Sequence, residues 1–154
     1  MEEIRLVNLS ETSLDAFQKH LADVVILTSQ NKLLLQHRPL TWQTSPGRVN
    51  LFGGHVEFGE QPIEAAAREI NEETGGILSP DDLLFIGTIT EGWTNHTEAV
   101  HVYFWHDKNC SITGCYEAES IEFDTAADAM KHPKIMDYTQ WALNECARRG
   151  LLPS

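Results

Sequence analysis

Several chemistries are excluded by what this chain does not carry. It has three cysteines, Cys110, Cys115 and Cys146, and no Cys-x-x-Cys pair. So sparse and odd a set fits neither a disulfide framework nor a thiolate metal site, and it predicts reduced thiols in a cytoplasmic protein. Lysine and arginine number 11 against 23 aspartates and glutamates, a formal net charge of −12. No broad basic surface is therefore expected for a nucleic-acid polymer or an anionic membrane. A small phosphorylated ligand stays open, because a bound cation inverts the sign locally. No apolar run approaches the ~18 residues of a membrane span, and the acidic opening Met1-Glu2-Glu3-Ile4-Arg5 does not read as a signal peptide. A Gly-x4-Gly-Lys-Ser/Thr loop for cradling phosphates is missing, and so is an Asp-x-Asp-x-Asp-Gly calcium loop.

What remains is an ordinary globular composition, 42% hydrophobic and 22% charged over 154 residues. That length predicts one domain over 1–154, with its core at about 22–150. Compact β-branched and apolar runs predict strands at 24–29 and 32–37, joined as a hairpin through Gln30-Asn31. Further strands are expected at 49–52, 83–90, 98–105 and 116–123, the third of these with Val100, Val102 and Phe104 on one face. A short helix is read over 13–21. Helices are expected at 62–74, 125–131 and 135–149, the last two separated by Pro133. Strands, helix, strands, helix is the order of an α+β domain with helices covering a mixed sheet.

One stretch dominates the chemistry. Between Glu57 and Glu73 the chain packs six glutamates against one arginine, and carboxylates that close repel one another unless a cation intervenes. Pro62 suits a first helical position and Gly75 a helix exit. Between them Ile63, Ala66, Ala67, Ile70 and Thr74 recur at helical spacing as a core-facing stripe. Glu69, Glu72 and Glu73 then neighbour one another on a flank beside it. Oxygen ligands without histidine or cysteine suit Mg²⁺ or Mn²⁺ better than zinc. Gly53-Gly54 would let the backbone approach a ligand and offer a carbonyl oxygen.

The spacing Gly54, five residues, Glu60, seven residues, Arg68-Glu69-Ile70-Asn71-Glu72-Glu73-Thr74-Gly75 resembles the Nudix box. The chain departs from the pattern at Gly76, where the family has a bulky aliphatic residue. The resemblance implies the Nudix fold, an α/β/α sandwich around a mixed, curved sheet. It also implies a MutT-like pyrophosphohydrolase that cleaves a phosphoanhydride bond with Mg²⁺ or Mn²⁺ and a metal-activated water. By position, Glu69, Glu72 and Glu73 would hold the cations, with the Gly53 carbonyl as a possible added ligand, and Arg68 would hold carboxylates in place. A later-loop acid falls on Glu117, with Glu119 as runner-up. The general base would be Glu72 or Glu73, or alternatively Glu117.

Substrate contacts are candidates only by place. Arg38 ends a strand and His55 follows the glycine pair, so each is read as a phosphate contact or a structural group. Trp42 and Trp93 lie in loops where a base could stack, or else they pack. The expected substrate is a nucleoside triphosphate or related nucleotide, bound by a monomer or homodimer. The alternative is a nucleoside diphosphate sugar or ADP-ribose, because Phe52 stands where many triphosphate-cleaving members have proline. A non-catalytic Nudix-fold nucleotide-binding module is the lesser alternative.

Overall fold

A computed structural model describes residues 3–153. In chain order the strands are β1 (Ile4–Leu6), β2 (Lys19–Leu27), β3 (Leu33–His37), β4 (Val49–Asn50) and β5 (Phe52–His55). After these come α1 (Pro62–Thr74), β6 (Leu84–Glu91), β7 (Glu98–His106), β8 (Glu119–Phe123), α2 (Ala126–Met130) and α3 (Asp137–Arg148). The strands form one mixed sheet in the order β1-β6-β7-β2-β3-β4, with β5 also pairing with β2 and β8 with β3. The β2–β7 pair is parallel over its whole length and the other pairs are antiparallel.

Alternation along β2 and β7 builds two cores, since successive side chains of a strand face opposite ways. Ala22, Val24, Ile26, Tyr103 and Trp105 pack with Ala65, Ala66 and Ile70 of α1. Val25, Leu27, Val100, Val102 and Phe104 pack on the other side with α2 and α3, through Ala129, Tyr138, Ala142 and Leu143. The result is the expected α/β/α sandwich. Among the described residues no helix is long and apolar enough to cross a membrane.

The sheet forks beside the central strand. One edge of β2 runs along β7. The other edge is shared, with Ile26 and Leu27 paired to β3 and Leu21 to Val24 paired to β5. The continuous strand expected at 49–52 is divided accordingly, because Val49 and Asn50 pair with β3 whereas Phe52 already pairs with β2.

Two expected elements are shorter than read. The helix over 13–21 is one 3-10 turn at Leu14–Ala16, because Lys19 and His20 are already paired with Glu98 and Ala99 of β7. The last strand begins at Glu119 rather than 116, because the backbone N–H groups of Thr113, Gly114 and Tyr116 are committed to the carbonyls of Thr74 and Glu73 at the end of α1. Gly76 is small for a local reason: a Cβ there would lie 2.8 Å from the Trp105 ring.

On the α1 side, two histidines form a wire. The Leu14 carbonyl accepts from His20 Nε2 at 2.8 Å, which leaves His20 Nδ1 to accept from His101 Nε2 at 2.9 Å. The Thr88 hydroxyl completes the chain at His101 Nδ1, 2.7 Å away. Burial pushes the His101 imidazole down to about 4 from 6.5, and the neighbouring His20 adds to the effect. The unfolded chain therefore takes up this proton first. The stabilisation is complete above pH 6.5 and is lost as pH falls toward 4, by up to about 3 kcal/mol. Urea unfolding across that range checks this, and His101→Gln is expected to flatten the slope.

Candidate active site

Helix α1 presents the acidic group. Pro62 occupies its first turn, the Glu64 carboxylate accepts from the Gln61 backbone N–H at 2.9 Å, and Gly75 ends it in the left-handed conformation at φ 74°. Ala66 and Ile70 are fully buried and anchor the helix on the sheet.

Arg68 is the hub of the group. Its Nε and Nη2 donate to both Glu60 oxygens at 2.8 and 3.0 Å, a bidentate pair. Its Nη1 donates to Glu69 Oε1 at 2.9 Å and to Glu72 Oε2 at 3.3 Å, and its Nη2 also reaches the His55 carbonyl at 3.1 Å. Arg68's hydrogen bonds hold the Glu60 carboxyl below its ordinary value, and those carboxylates in turn raise the guanidinium.

Glu73 differs from its neighbours. It is only 3% exposed, and its Oε2 has no hydrogen-bond partner. Burial pushes its carboxyl up to about 9. The charges of Glu69, Glu117 and Asp23 add to that rise, and a backbone hydrogen bond from Gly53 offsets part of it. Burial also raises Glu69, against the pull of Arg68. A buried, unsatisfied oxygen among like charges is costly unless something positive meets it.

The flank read from helical spacing is therefore not uniform. Glu72 is exposed, Glu69 half-buried and Glu73 buried. Among the described residues no three His, Cys, Asp or Glu side chains are gathered closely enough to hold a metal ion. The reason is visible in the contacts, since Arg68 already turns Glu69 and Glu72 toward itself. The donor set nonetheless fits a hard cation: every donor is oxygen, and one buried oxygen is left without a partner.

The glycine pair is a thin wall between two spaces. A Cβ on Gly53 would collide with the Asp23 carboxylate and the Ala22 carbonyl, and one on Gly54 would lie 2.6 Å from the Glu69 carboxylate. The three nearest contacts of a Cβ at Gly54 are all atoms of the Glu69 carboxylate, so Gly54→Ala should push first on Glu69. We expect the melting temperature to change by only a few degrees while activity falls at least ~10-fold. Parallel thermal melts and turnover assays check this.

On the far side of that wall, where β3 and β5 part, lies a cleft of about 470 Å³. Its lining includes Asp23, Arg38, His55, Glu91, Trp93 and Tyr138. Three of the four expected substrate contacts thus share one cleft. Trp42 lies outside the lining, and its ring carries the Arg38 guanidinium 4.5 Å from the centroid. Arg38 Nε is further held by the Thr44 carbonyl at 2.9 Å. Glu117 is exposed, in the loop bonded to the end of α1, and its charge reaches both Glu69 and Glu73. Glu119 lies in β8 opposite His37.

Sequence reasoning missed Asp23, Glu91 and Tyr138. They are each 6% exposed and come from β2, β6 and α3. Burial pushes the Asp23 carboxyl up to about 7. The Tyr138 hydroxyl, within hydrogen-bonding reach, opposes this, while the charges of Glu91 and Glu69 add to it. The only sequence signal is an acidic residue directly before the apolar run at 24–29.

Comparison with known proteins agrees with this layout. A family model described as the NUDIX domain matches residues 18–149. The oxidized purine nucleoside triphosphate hydrolase of Danio rerio is 32% identical over 108 residues, 70% of this chain and 63% of that protein. The m7GpppN-mRNA hydrolase NUDT17 of Danio rerio is 40% identical over 60 residues, 39% of this chain and 20% of that protein. The chain thus spans less than two thirds of either relative. Among solved structures, the MutT protein from Methanosarcina mazei Go1 superposes with a TM-score of 0.70 at 20% identity. That match covers 90% of this chain and 99% of the other and shows a shared fold.

Proposed function

The chain belongs to the NUDIX family, and from that premise we propose that it is a single-domain pyrophosphohydrolase cleaving a phosphoanhydride bond in a nucleoside triphosphate or related nucleotide. The observation that carries this reading is the buried, unpartnered Glu73 oxygen beside Glu69 and behind the Gly53-Gly54 wall of a nucleotide-sized cleft. The similarity over 70% of the chain to a protein named as an oxidized purine nucleoside triphosphate hydrolase favours the triphosphate class.

Glu69, Glu72, Glu73, the Gly53 carbonyl and Glu117 are the groups that would hold Mg²⁺ or Mn²⁺. When bound, such a cation neutralises phosphate oxygens and lowers the pKa of a coordinated water. The protein's own part is to orient and to move one proton. Arg68 fixes Glu60, Glu69 and Glu72 relative to the His55 carbonyl. Glu72, which is exposed, would take the proton of the attacking water, a role for which Glu117 is the alternative and from which burial removes Glu73. The water oxygen bonds to phosphorus, the bridging P–O bond breaks, and the leaving phosphate keeps the electron pair. Arg38, His55 and Trp93 are the cleft groups available to phosphate and base. The three cysteines are free, which supports a reducing, cytoplasmic setting.

The test is a panel of nucleotides with Mg²⁺ and product identification. Monophosphate plus pyrophosphate supports the reading. Two monophosphate fragments from an X-linked diphosphate would replace it with the nucleotide-sugar or ADP-ribose class. Absence of hydrolysis across the panel would leave a nucleotide-binding module.

A further inference from the structure

The cleft floor has a donor–acceptor character that narrows the base. Asp23 is 6% exposed, yet its carboxylate lines the cavity rather than the core. Tyr138, from α3 and also in the lining, puts its hydroxyl within hydrogen-bonding reach and so orients the carboxylate. The neighbouring amide does not satisfy it, because Gln36 Nε2 donates to the Leu51 carbonyl at 2.8 Å and to Asn50 Oδ1 at 3.4 Å. A carboxylate has about four acceptor sites; one oxygen lies against the Gly53 backbone, and a single hydroxyl still leaves acceptor sites for a ligand in the cavity that Asp23 lines. Glu91, also in the lining, adds negative charge. At the mouth, Trp93 is 53% exposed and offers a flat face on which a base can stack.

Ionised, as a pair of facing donors would hold it, the carboxylate presents two acceptors side by side. Among the common bases only guanine offers two adjacent donors on its pairing edge, the N1–H and the 2-amino group. Adenine and cytosine set an acceptor beside their amino group. Uracil and thymine flank one N–H with two carbonyls. Each of these aims lone pairs at the carboxylate or leaves it half satisfied, and a buried polar group left without a partner is what makes such a site selective.

Resting on the nucleotide reading above, we propose that Asp23, oriented by Tyr138, determines base specificity, and that the cleft selects a guanine-type base through its N1–H and 2-amino donors. Asp23 touches the base and takes no part in the bond cleavage at the α1 glutamates.

Equilibrium binding of GMP, IMP and AMP to the full chain, read by tryptophan fluorescence or calorimetry, tests this. IMP differs from GMP only in lacking the 2-amino group. The wild-type protein is expected to bind GMP tighter than IMP by on the order of tenfold or more, the effect of one hydrogen bond to a charged group, and AMP more weakly still. Asp23→Asn is expected to shrink the GMP-to-IMP ratio below about threefold. Equal affinity for GMP and IMP in the wild type overturns the proposal, as does an unchanged ratio in Asp23→Asn or failure to bind any of the three. If Asp23→Asn does not fold, the wild-type comparison decides alone. A protein that hydrolyses guanosine and inosine triphosphates equally well would sink this inference and leave the proposed function standing. One that binds GMP selectively but cleaves no triphosphate would do the reverse.

Discussion

Glu73→Gln is expected to lower kcat by on the order of a thousandfold and, at the same time, to stabilise the metal-free protein at alkaline pH. The two effects have one origin. Glu73 is the buried carboxyl whose second oxygen meets nothing, held up at about 9 against an ordinary 4.5. For a carboxyl raised in the folded state, the native protein keeps its proton while the unfolded chain gives it up. Stability is therefore full below pH 4.5 and is lost as pH rises toward 9. The amide variant has no such titration, so its melting temperature should stay flat where that of the wild type declines. Melts in chelator at several pH values, with and without added Mg²⁺, give the readout. Mg²⁺ should restore the wild type at high pH and move the variant far less, since only the remaining groups could then hold it. Parallel pH slopes for the two proteins in chelator would refute the account.

Arg68→Ala is expected to cost about 3 kcal/mol, the lower end of what breaking a buried ion pair costs, and to reduce activity to background. The guanidinium is 24% exposed, and the Glu60 and Glu69 side chains it binds are 16% and 15% exposed. Removing it leaves two half-buried carboxylates facing each other, besides the more exposed Glu72. For a chain of this size the loss corresponds to a fall of roughly 6–12 °C in melting temperature. Arg68→Lys separates charge from shape. It keeps a cation but loses the fork that grips both Glu60 oxygens while reaching Glu69. We expect it to recover much of the stability and little of the turnover. If Arg68→Lys proved as active as the wild type, positioning by Arg68 would be refuted.

The parts of this architecture that were legible in the sequence are those encoded by neighbours along the chain. Helix α1 was readable because Pro62, the apolar stripe and Gly75 are all local signals. The central strands were readable because both faces of β2 and β7 are buried, which makes compact apolar runs. Where the reading failed, a distant segment had decided the outcome. Lys19 and His20 look helical until Glu98 and Ala99 of β7 are beside them, and Tyr116 looks like a strand until its N–H is given to Glu73.

The candidate site divides in the same way. The α1 glutamates have a spacing, so they could be found. Asp23, Glu91 and Tyr138 have none, because they meet only after β2, β6 and α3 are assembled. The burial of Glu73 also has a signal along the chain. It lies three residues after Ile70 and seven after Ala66, on the docking stripe itself.

The fork beside β2 bears on how such a protein can change over generations. One prong, β5, leads into the loop before α1, and the other, β3 with β4 and β8, carries the loop with Arg38 and Trp42. The two prongs meet at β2 and at Leu51, the single residue between β4 and β5, so an inserted residue or a new aromatic in the loop between β3 and β4 need not disturb the register of Gly53 against Asp23. Under the proposed function, the Arg38 and Trp42 contacts and the bond-breaking glutamates therefore lie beyond different prongs of the sheet. A substitution that changes a substrate contact in the β3–β4 loop can then leave the glutamates of α1 in place. Asp23 lies at the junction, where a single codon change would be felt on both.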